Sequence, residues 1–166
     1  KNLLRLLKAY FKALDEKDTE VNLFIVGMKG WGNQKIKTIL KSCLHHKRVF
    51  FLGHINDSIL PYLYENAEFL IMPSLYEGFG LPIVESMSFG KAVITSNNSS
   101  MREIVGKAGI LINTSKVDSI KDGILRFLDK EILENYSIHA KMKASEFSWI
   151  DSTEKIWEEI KKLSKK

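Results

Sequence analysis

Residues 67–90 read AEFLIMPSLYEGFGLPIVESMSFG, and their reading decides the fold. Ala67–Met72 is an apolar run interrupted only by Glu68, the pattern of a strand buried on both faces. A loop follows that carries Glu77, Gly78, Phe79 and Gly80. Pro82 suits the first turn of a helix, where its missing N–H is no loss, and Gly90 ends that helix. Ile83, Val84, Met87 and Phe89 are expected to face inward, with Glu85 on the first turn. The unit is thus a strand, a glycine-containing loop and a helix N-terminus, flanked by two carboxylates.

That order of parts carries chemistry. The main-chain N–H groups of Phe79, Gly80 and Leu81 have no helical acceptor, and with the positive end of the helix dipole they suit a phosphate. Glycine lets a ligand approach the backbone closely. A carboxylate repels phosphate but accepts hydrogen bonds from hydroxyls, best from a vicinal pair on a ribose or another sugar. A ligand with both phosphate and polyol, such as a nucleotide sugar, meets both demands. Taken singly, Glu77 reads more readily as a solvated loop residue, and Glu85 as an N-terminal helix charge stabilised by the dipole, worth roughly 0.3–1 kcal/mol.

Outward from this unit, apolar runs alternate with amphipathic stretches. Leu3, Leu4, Leu6, Leu7, Tyr10, Phe11 and Leu14 recur at helical spacing and predict a helix from residue 2 to about 17. Strands are expected at Val21–Val26, Arg48–Leu52, Ala92–Thr95 and Gly109–Ile112. Helices are expected near Asn33–His45, from a cap at Asn56 or Asp57 to Asn66, and at Met101–Val105, Val117–Leu128, Glu131–Ala144 and Ser152–Leu163. Short buried strands alternating with helices imply an α/β fold, a Rossmann-like doubly wound parallel sheet with helices on both faces. Such sheets bind ligands beyond the carboxyl ends of their strands. The loops Gly27–Gly32, Gly53–Asp57, Ser74–Gly80 and Ser96–Ser100 all leave such ends and are expected to converge on one cleft.

Totals bound the classes. The chain has 166 residues, 45% hydrophobic and 27% charged, enough for one domain with a core. No apolar run is long enough to cross a bilayer, and no signal-peptide pattern occurs. Cys43 is the single cysteine, which excludes an intramolecular disulfide. The formal net charge of +5 is concentrated at Lys35–Lys41, Lys47–Arg48 and the terminal KKLSKK. This basic surface is either a solvated face or one that attracts anionic ligands or a membrane surface. No nucleic-acid module is recognisable. Cys43, His45 and His46 make a poor metal set, since adjacent histidines diverge on a helix and no other ligand cluster exists.

The stretch EGFGLPIVE, two glutamates with seven residues between them, resembles the donor-site signature of glycosyltransferase family 4, and the likeness runs from the first residue to the C-terminal helix. Members of that family are retaining enzymes of the two-domain GT-B fold. The resemblance implies that this chain is the donor-binding half, with the N-terminal acceptor-binding domain elsewhere; starting at Lys1 and directly with a helix, it reads as part of a longer protein. KNLLRLLKAY is similar to the segment whose lysine, here Lys1, contacts the donor pyrophosphate. The strand and the arginine that precede it in the family are missing, which leaves a slot between the Val21 and Ala67 strands. Gly27 in VGMKGWG resembles the second glycine loop, near the phosphates, with Trp31 covering that loop or facing the partner domain. FLGHIND resembles the nucleobase loop, with main-chain groups around Ile55 on the base and His54 either at the nucleotide or simply packed. Ser99, Ser100 and Glu103 resemble a recurrent turn before a short helix, although Ser99 and Ser100 also read as a plain cap.

What the resemblance implies is transfer of a hexosyl group from a nucleoside diphosphate sugar to a glycan or lipid-linked acceptor, without a metal or other cofactor. Glu77 and Lys1 would serve at the reacting sugar and pyrophosphate. Glu85 would take the ribose hydroxyls, while Gly78, Phe79, Gly80, Leu81, Gly27, His54 and Ile55 would line the nucleotide. The GMKGWG and FLGHIND stretches lean toward mannosyltransferase-like members and GDP-mannose. A cytoplasmic location, with peripheral contact to the inner face of an anionic membrane, goes with that reading. On its own the 166-residue chain is expected to bind donor weakly and turn over little. A non-catalytic module for anionic ligands and a two-carboxylate glycoside hydrolase are the alternatives. The second gains nothing from an anion-binding helix start.

Overall fold

A computed structural model describes residues 1–28 and 33–163. Residues 29–32, where Trp31 and most of the GMKGWG loop fall, residues 164–166, and the side chains of Asn33 and Ser99 lie outside the described part. The amphipathic start of the chain forms α1 (Leu3–Glu16), whose inward stripe of Leu6, Leu7, Ala9, Tyr10, Phe11, Ala13 and Leu14 is buried. A stripe this wide needs more than one neighbour. It finds them in strands of two separate parallel sheets.

The first sheet pairs β1 (Leu23–Val26) with β2 (Val49–Gly53), Leu23 opposite Val49 and Phe24 opposite Phe50. The second has the order β3 (Phe69–Met72), β4 (Ala92–Ser96), β5 (Gly109–Ile112), again all parallel. The expected alternation is therefore correct, but the sheet is not continuous: among the described residues no ladder joins β1 to β3. The slot expected between these strands is not closed by hydrogen bonds. Apolar packing joins the halves instead. Leu23 of β1 shares a core with Ala92 and Ile94 of β4, Ile110 and Ile112 of β5, and the inner face of α1, with Ile25, Phe69 and Ile71 packed against it. Burial is non-directional and tolerates the missing ladder.

On the opposite face of the second sheet, Val93 meets Ile83 and Met87 of α4 (Leu81–Ser88) and Met101, Ile104 and Val105 of α5 (Ser99–Val105). α6 (Val117–Phe127) packs on α1, and α7 (Lys130–Ala144) on α4 and β4; α7 is capped by the Asp129 carboxylate, which accepts from the amides of Glu131 and Ile132. α8 (Trp149–Leu163) closes the described chain with no buried residue, and Trp149, Trp157 and Ile160 along its apolar stripe are exposed. No described helix is long and apolar enough to cross a membrane.

Three local expectations need correction. α2 (Asn33–Ser42) stops before the histidines, because Cys43 is extended; Leu44–Arg48 then forms a 3-10 turn. There His45 pairs with Asp15 at 2.9 Å and His46 with the Cys43 carbonyl at 2.9 Å. α3 (Leu60–Asn66) begins later than Asn56 or Asp57. Asn56 caps a turn rather than the helix, its Oδ1 accepting from the amide and hydroxyl of Ser58. Finally, Asn98 rather than a serine occupies the N-cap of α5, and Ser100 turns its hydroxyl to the neighbouring loop.

Candidate functional site

β3 ends at Met72, and the chain must turn through Pro73–Gly80 before α4 can start. The turn is built from short polar side chains. The buried Ser74 hydroxyl donates to Glu77 Oε1 at 2.7 Å, which fixes the carboxylate three residues on. From the next strand, Thr95 Oγ1 donates to the Met72 carbonyl at 3.0 Å, and Asn98 Nδ2 to that of Leu75 at 2.9 Å. Ser100 Oγ lies 3.1 Å from the Phe79 carbonyl and 3.3 Å from that of Glu77. With its carbonyls held in this way, the loop leaves its amides without an acceptor: among the described residues none accepts from the main-chain N–H of Gly78, Phe79, Gly80 or Leu81.

Gly80 makes the turn possible. It caps α4 in the left-handed region, at φ 98°, and a Cβ there would lie 3.3 Å from Ile83 Cδ1. Pro82 sits in the first turn as expected. Glu85, in contrast, lies on the second turn rather than the first, beyond the strongest part of the dipole. Its Oε2 accepts from the Tyr64 hydroxyl of α3 at 2.9 Å. Burial, then the hydrogen bond to Glu85 and its charge, pushes the Tyr64 phenol well above its ordinary range. Glu77 and Glu85 are both half-buried, each held by a hydroxyl, while Phe79 and Leu81 beside them are 47% and 46% exposed.

The remaining candidates form two further groups. Gly27 (φ 124°) donates its N–H to the Gly53 carbonyl at 2.8 Å, which joins the loops after β1 and β2 and sets Gly27 beside His54, exposed, and Ile55, half-buried. Lys1 is exposed ahead of α1. The next residue is anchored: the buried Asn2 donates through Nδ2 to the Thr114 carbonyl at 2.6 Å, and this pins the start of α1 to the loop after β5. Glu77–Leu81 and Glu85 thus form one continuous unit, with Lys1 near the end of β5 and Gly27, His54 and Ile55 on the other sheet. Among the described residues no hydrogen bond joins the Gly27–Ile55 loops to Glu77–Leu81. Two hollows, one lined by Gln34, Lys37 and Thr38 and the other by Lys8, Phe11 and Ile39, run along α1 and α2 and share no residue with the 74–85 segment.

Ser74, Tyr64 and Asn98 hold the 74–85 unit and Asn2 anchors the residue beside Lys1; none was singled out from the sequence. Ser74 is the exception in kind, since a hydroxyl three residues before a loop carboxylate is a local signal. Tyr64 lies 21 residues from Glu85 in sequence, and only the fold brings them together.

Residues 1–144 match the family model described as glycosyl transferases group 1. The chain belongs to that family. Among its relatives, the O-antigen chain mannosyltransferase B of Escherichia coli is 36% identical over 154 residues, 92% of this chain and 40% of that protein. The chain therefore spans about two fifths of the length of this relative. Solved structures share the fold of this group 1 glycosyltransferase domain. Sucrose-phosphate synthase from Thermosynechococcus elongatus superposes with a TM-score of 0.82 at 22% identity, over 95% of this chain and 42% of the other. The Anabaena protein HepE, solved with UDP and glucose, gives 0.79 at 23% identity, over 95% and 44%. At such identities the likeness is one of fold.

Proposed function

We propose that the chain is the donor-binding part of a retaining mannosyltransferase that acts on a nucleoside diphosphate sugar. The observation that carries this reading is the run of main-chain N–H groups at Gly78–Leu81 with no acceptor among the described residues, set between two hydroxyl-anchored carboxylates. The amides and the start of α4 receive the diphosphate. Glu85 accepts from the ribose hydroxyls, and Glu77 sits beside the transferred sugar. Gly27 and the His54–Ile55 loop close on the nucleotide from the other sheet, with Lys1 toward the pyrophosphate.

In the reaction, the bond between the anomeric carbon and the diphosphate oxygen breaks, and the acceptor oxygen bonds to the same carbon on the same face. The acceptor proton ends on the departing diphosphate. Charge grows on that leaving oxygen, where fixed N–H donors stabilise it without reorganising. The likeness to an O-antigen chain mannosyltransferase supports mannose as the sugar and a growing glycan as the acceptor. An N-terminal domain of the same protein would bind that acceptor, and the basic surface would favour an anionic membrane nearby.

Calorimetric titration with GDP, UDP and ADP tests the reading. One diphosphate is expected to bind, and Gly80→Ala, which strains the left-handed cap, to weaken it at least tenfold. Absence of binding by all three would overturn the proposal.

A further inference from the structure

Glu85 carries a negative charge with no cation to meet it: among the described residues it forms no ion pair, and the Tyr64 hydroxyl is its hydrogen-bond donor. That donor is itself fixed. The Tyr64 ring stacks on Phe89, the residue just past the end of α4 and four beyond Glu85, with centroids 5.8 Å apart and planes at 24°. Tyr64 projects from α3, the short helix that follows the His54–Ile55 loop directly. The hydroxyl thus ties the element leaving one sheet to the carboxylate on the helix leaving the other, across a boundary that no strand pairing bridges among the described residues.

A carboxylate has two oxygens and accepts at both. With Oε2 occupied by Tyr64, the group cannot rotate freely, and Oε1 is left for a ligand. We infer that Tyr64 is a positioning residue for donor binding: its hydroxyl orients Glu85 so that Oε1 meets the vicinal hydroxyls of the nucleotide ribose. The inference rests on the nucleotide-sugar reading above and adds the residue that sets the geometry of ribose recognition. Such a donor acts by fixing orientation, and losing a hydrogen bond to a charged group typically costs on the order of tenfold or more. The raised pKa of the phenol keeps it a donor throughout the physiological range.

The test compares whichever of GDP and UDP binds more tightly with its 2′-deoxy form, by calorimetry, on the wild-type chain, Tyr64→Phe, Glu85→Gln and the double variant. Tyr64→Phe keeps the ring and removes only the hydroxyl. It is expected to weaken the ribonucleotide about tenfold, to leave the 2′-deoxy form near its wild-type affinity, and so to erase most of the ribose preference. The double variant is expected to bind no more weakly than Glu85→Gln alone. Wild-type ribose preference in Tyr64→Phe, with Glu85→Gln impaired, overturns the positioning role and leaves the nucleotide reading intact. Equal weakening of both nucleotides marks a structural role and also overturns it. If Glu85→Gln binds both like wild type, the site reading falls, and this inference with it. Should Tyr64→Phe fail to fold, Phe89→Leu keeps the hydroxyl but removes the ring it rests on; a reduced ribose preference supports the role, and an unchanged one overturns it.

Discussion

β4 and β2 are five-residue runs of similar apolar character, AVITS and VFFLG, yet they meet opposite fates. Every residue of β4 is buried, with Ala92, Val93 and Ile94 at 0% exposure, whereas Phe50, Phe51 and Leu52 of β2 remain 41%, 46% and 38% exposed. β4 has a strand on each edge and helices on both faces; β2 has β1 on one edge and, among the described residues, shares no sheet with the others. The half that carries Glu77–Glu85 is thus a complete layered structure. The other half is a two-stranded ribbon, too small to be stable alone, held to the rest through α1. The candidate site stands on the more buried half, and the Gly27 and His54–Ile55 loops on the more exposed one.

The contrast is broken most directly by truncating one side chain in each half. Ile94→Ala in β4 is expected to cost about 4 kcal/mol in urea unfolding, as lost burial and a residual cavity add. Phe50→Ala in β2 should cost about 1 kcal/mol, because the ring is already 41% exposed and rests on the still more open Phe24, 5.0 Å away. Equal losses would mean that the ribbon is packed as tightly as the second sheet.

Glycines repeat the comparison. A Cβ on Gly109 would lie 2.1 Å from the Val93 carbonyl oxygen, in the heart of the β4–β5 ladder, so Gly109→Ala should cost about 3 kcal/mol. Gly53 (φ 70°) meets nothing within 4 Å, and Gly53→Ala should cost only backbone strain, about 1 kcal/mol. Thermal unfolding of the two variants separates these values.

Tyr10 tests how the more exposed half is fastened. Its hydroxyl donates to the Val21 carbonyl at 2.7 Å, at the entrance to β1. Burial raises the phenol from its ordinary 10.0 to about 12, against a lowering by Arg48. Because the folded chain holds this proton more tightly than the unfolded one, its contribution is complete below pH 10 and is lost as pH rises from 10 to about 12. Tyr64, raised in the same direction, adds to the loss. Tyr10→Phe should lower stability at pH 7 by about 1 kcal/mol and flatten the decline above pH 10, as read from denaturation midpoints across pH.

The smallest effect sharpens the picture of the packed half. Ser86 is fully buried on α4 and its hydroxyl is without a partner among the described residues. Ser86→Ala should therefore raise stability by about 0.5–1 kcal/mol. A loss of stability instead would place an acceptor or a water at that hydroxyl.

Much of the fold could be read locally. Alternating apolar runs and 3.6-residue stripes fixed the order and type of the strands and helices, because period and length follow from backbone geometry alone. Pro82 and Gly90 bracket α4 for the same reason, and the EGFGLPIVE spacing located the candidate carboxylates. What failed were the ends decided by competition. α2 gave way at Cys43 to a 3-10 turn in which His45 finds Asp15 of α1, 30 residues away. Asn56 spent its side chain on Ser58 rather than on the helix. Neither choice is written in a short window of sequence.

The sequence by itself determined which segments are strands and helices, where the chain turns on glycine, and that two glutamates lie on either side of a helix start. Only the tertiary structure decided that the strands divide into two sheets, that β2 stays half-exposed where β4 is sealed, and that Tyr64 reaches Glu85. The reason is physical: propensity and periodicity act over a few residues, while burial and hydrogen-bond partners depend on which distant surfaces the folded chain brings into contact.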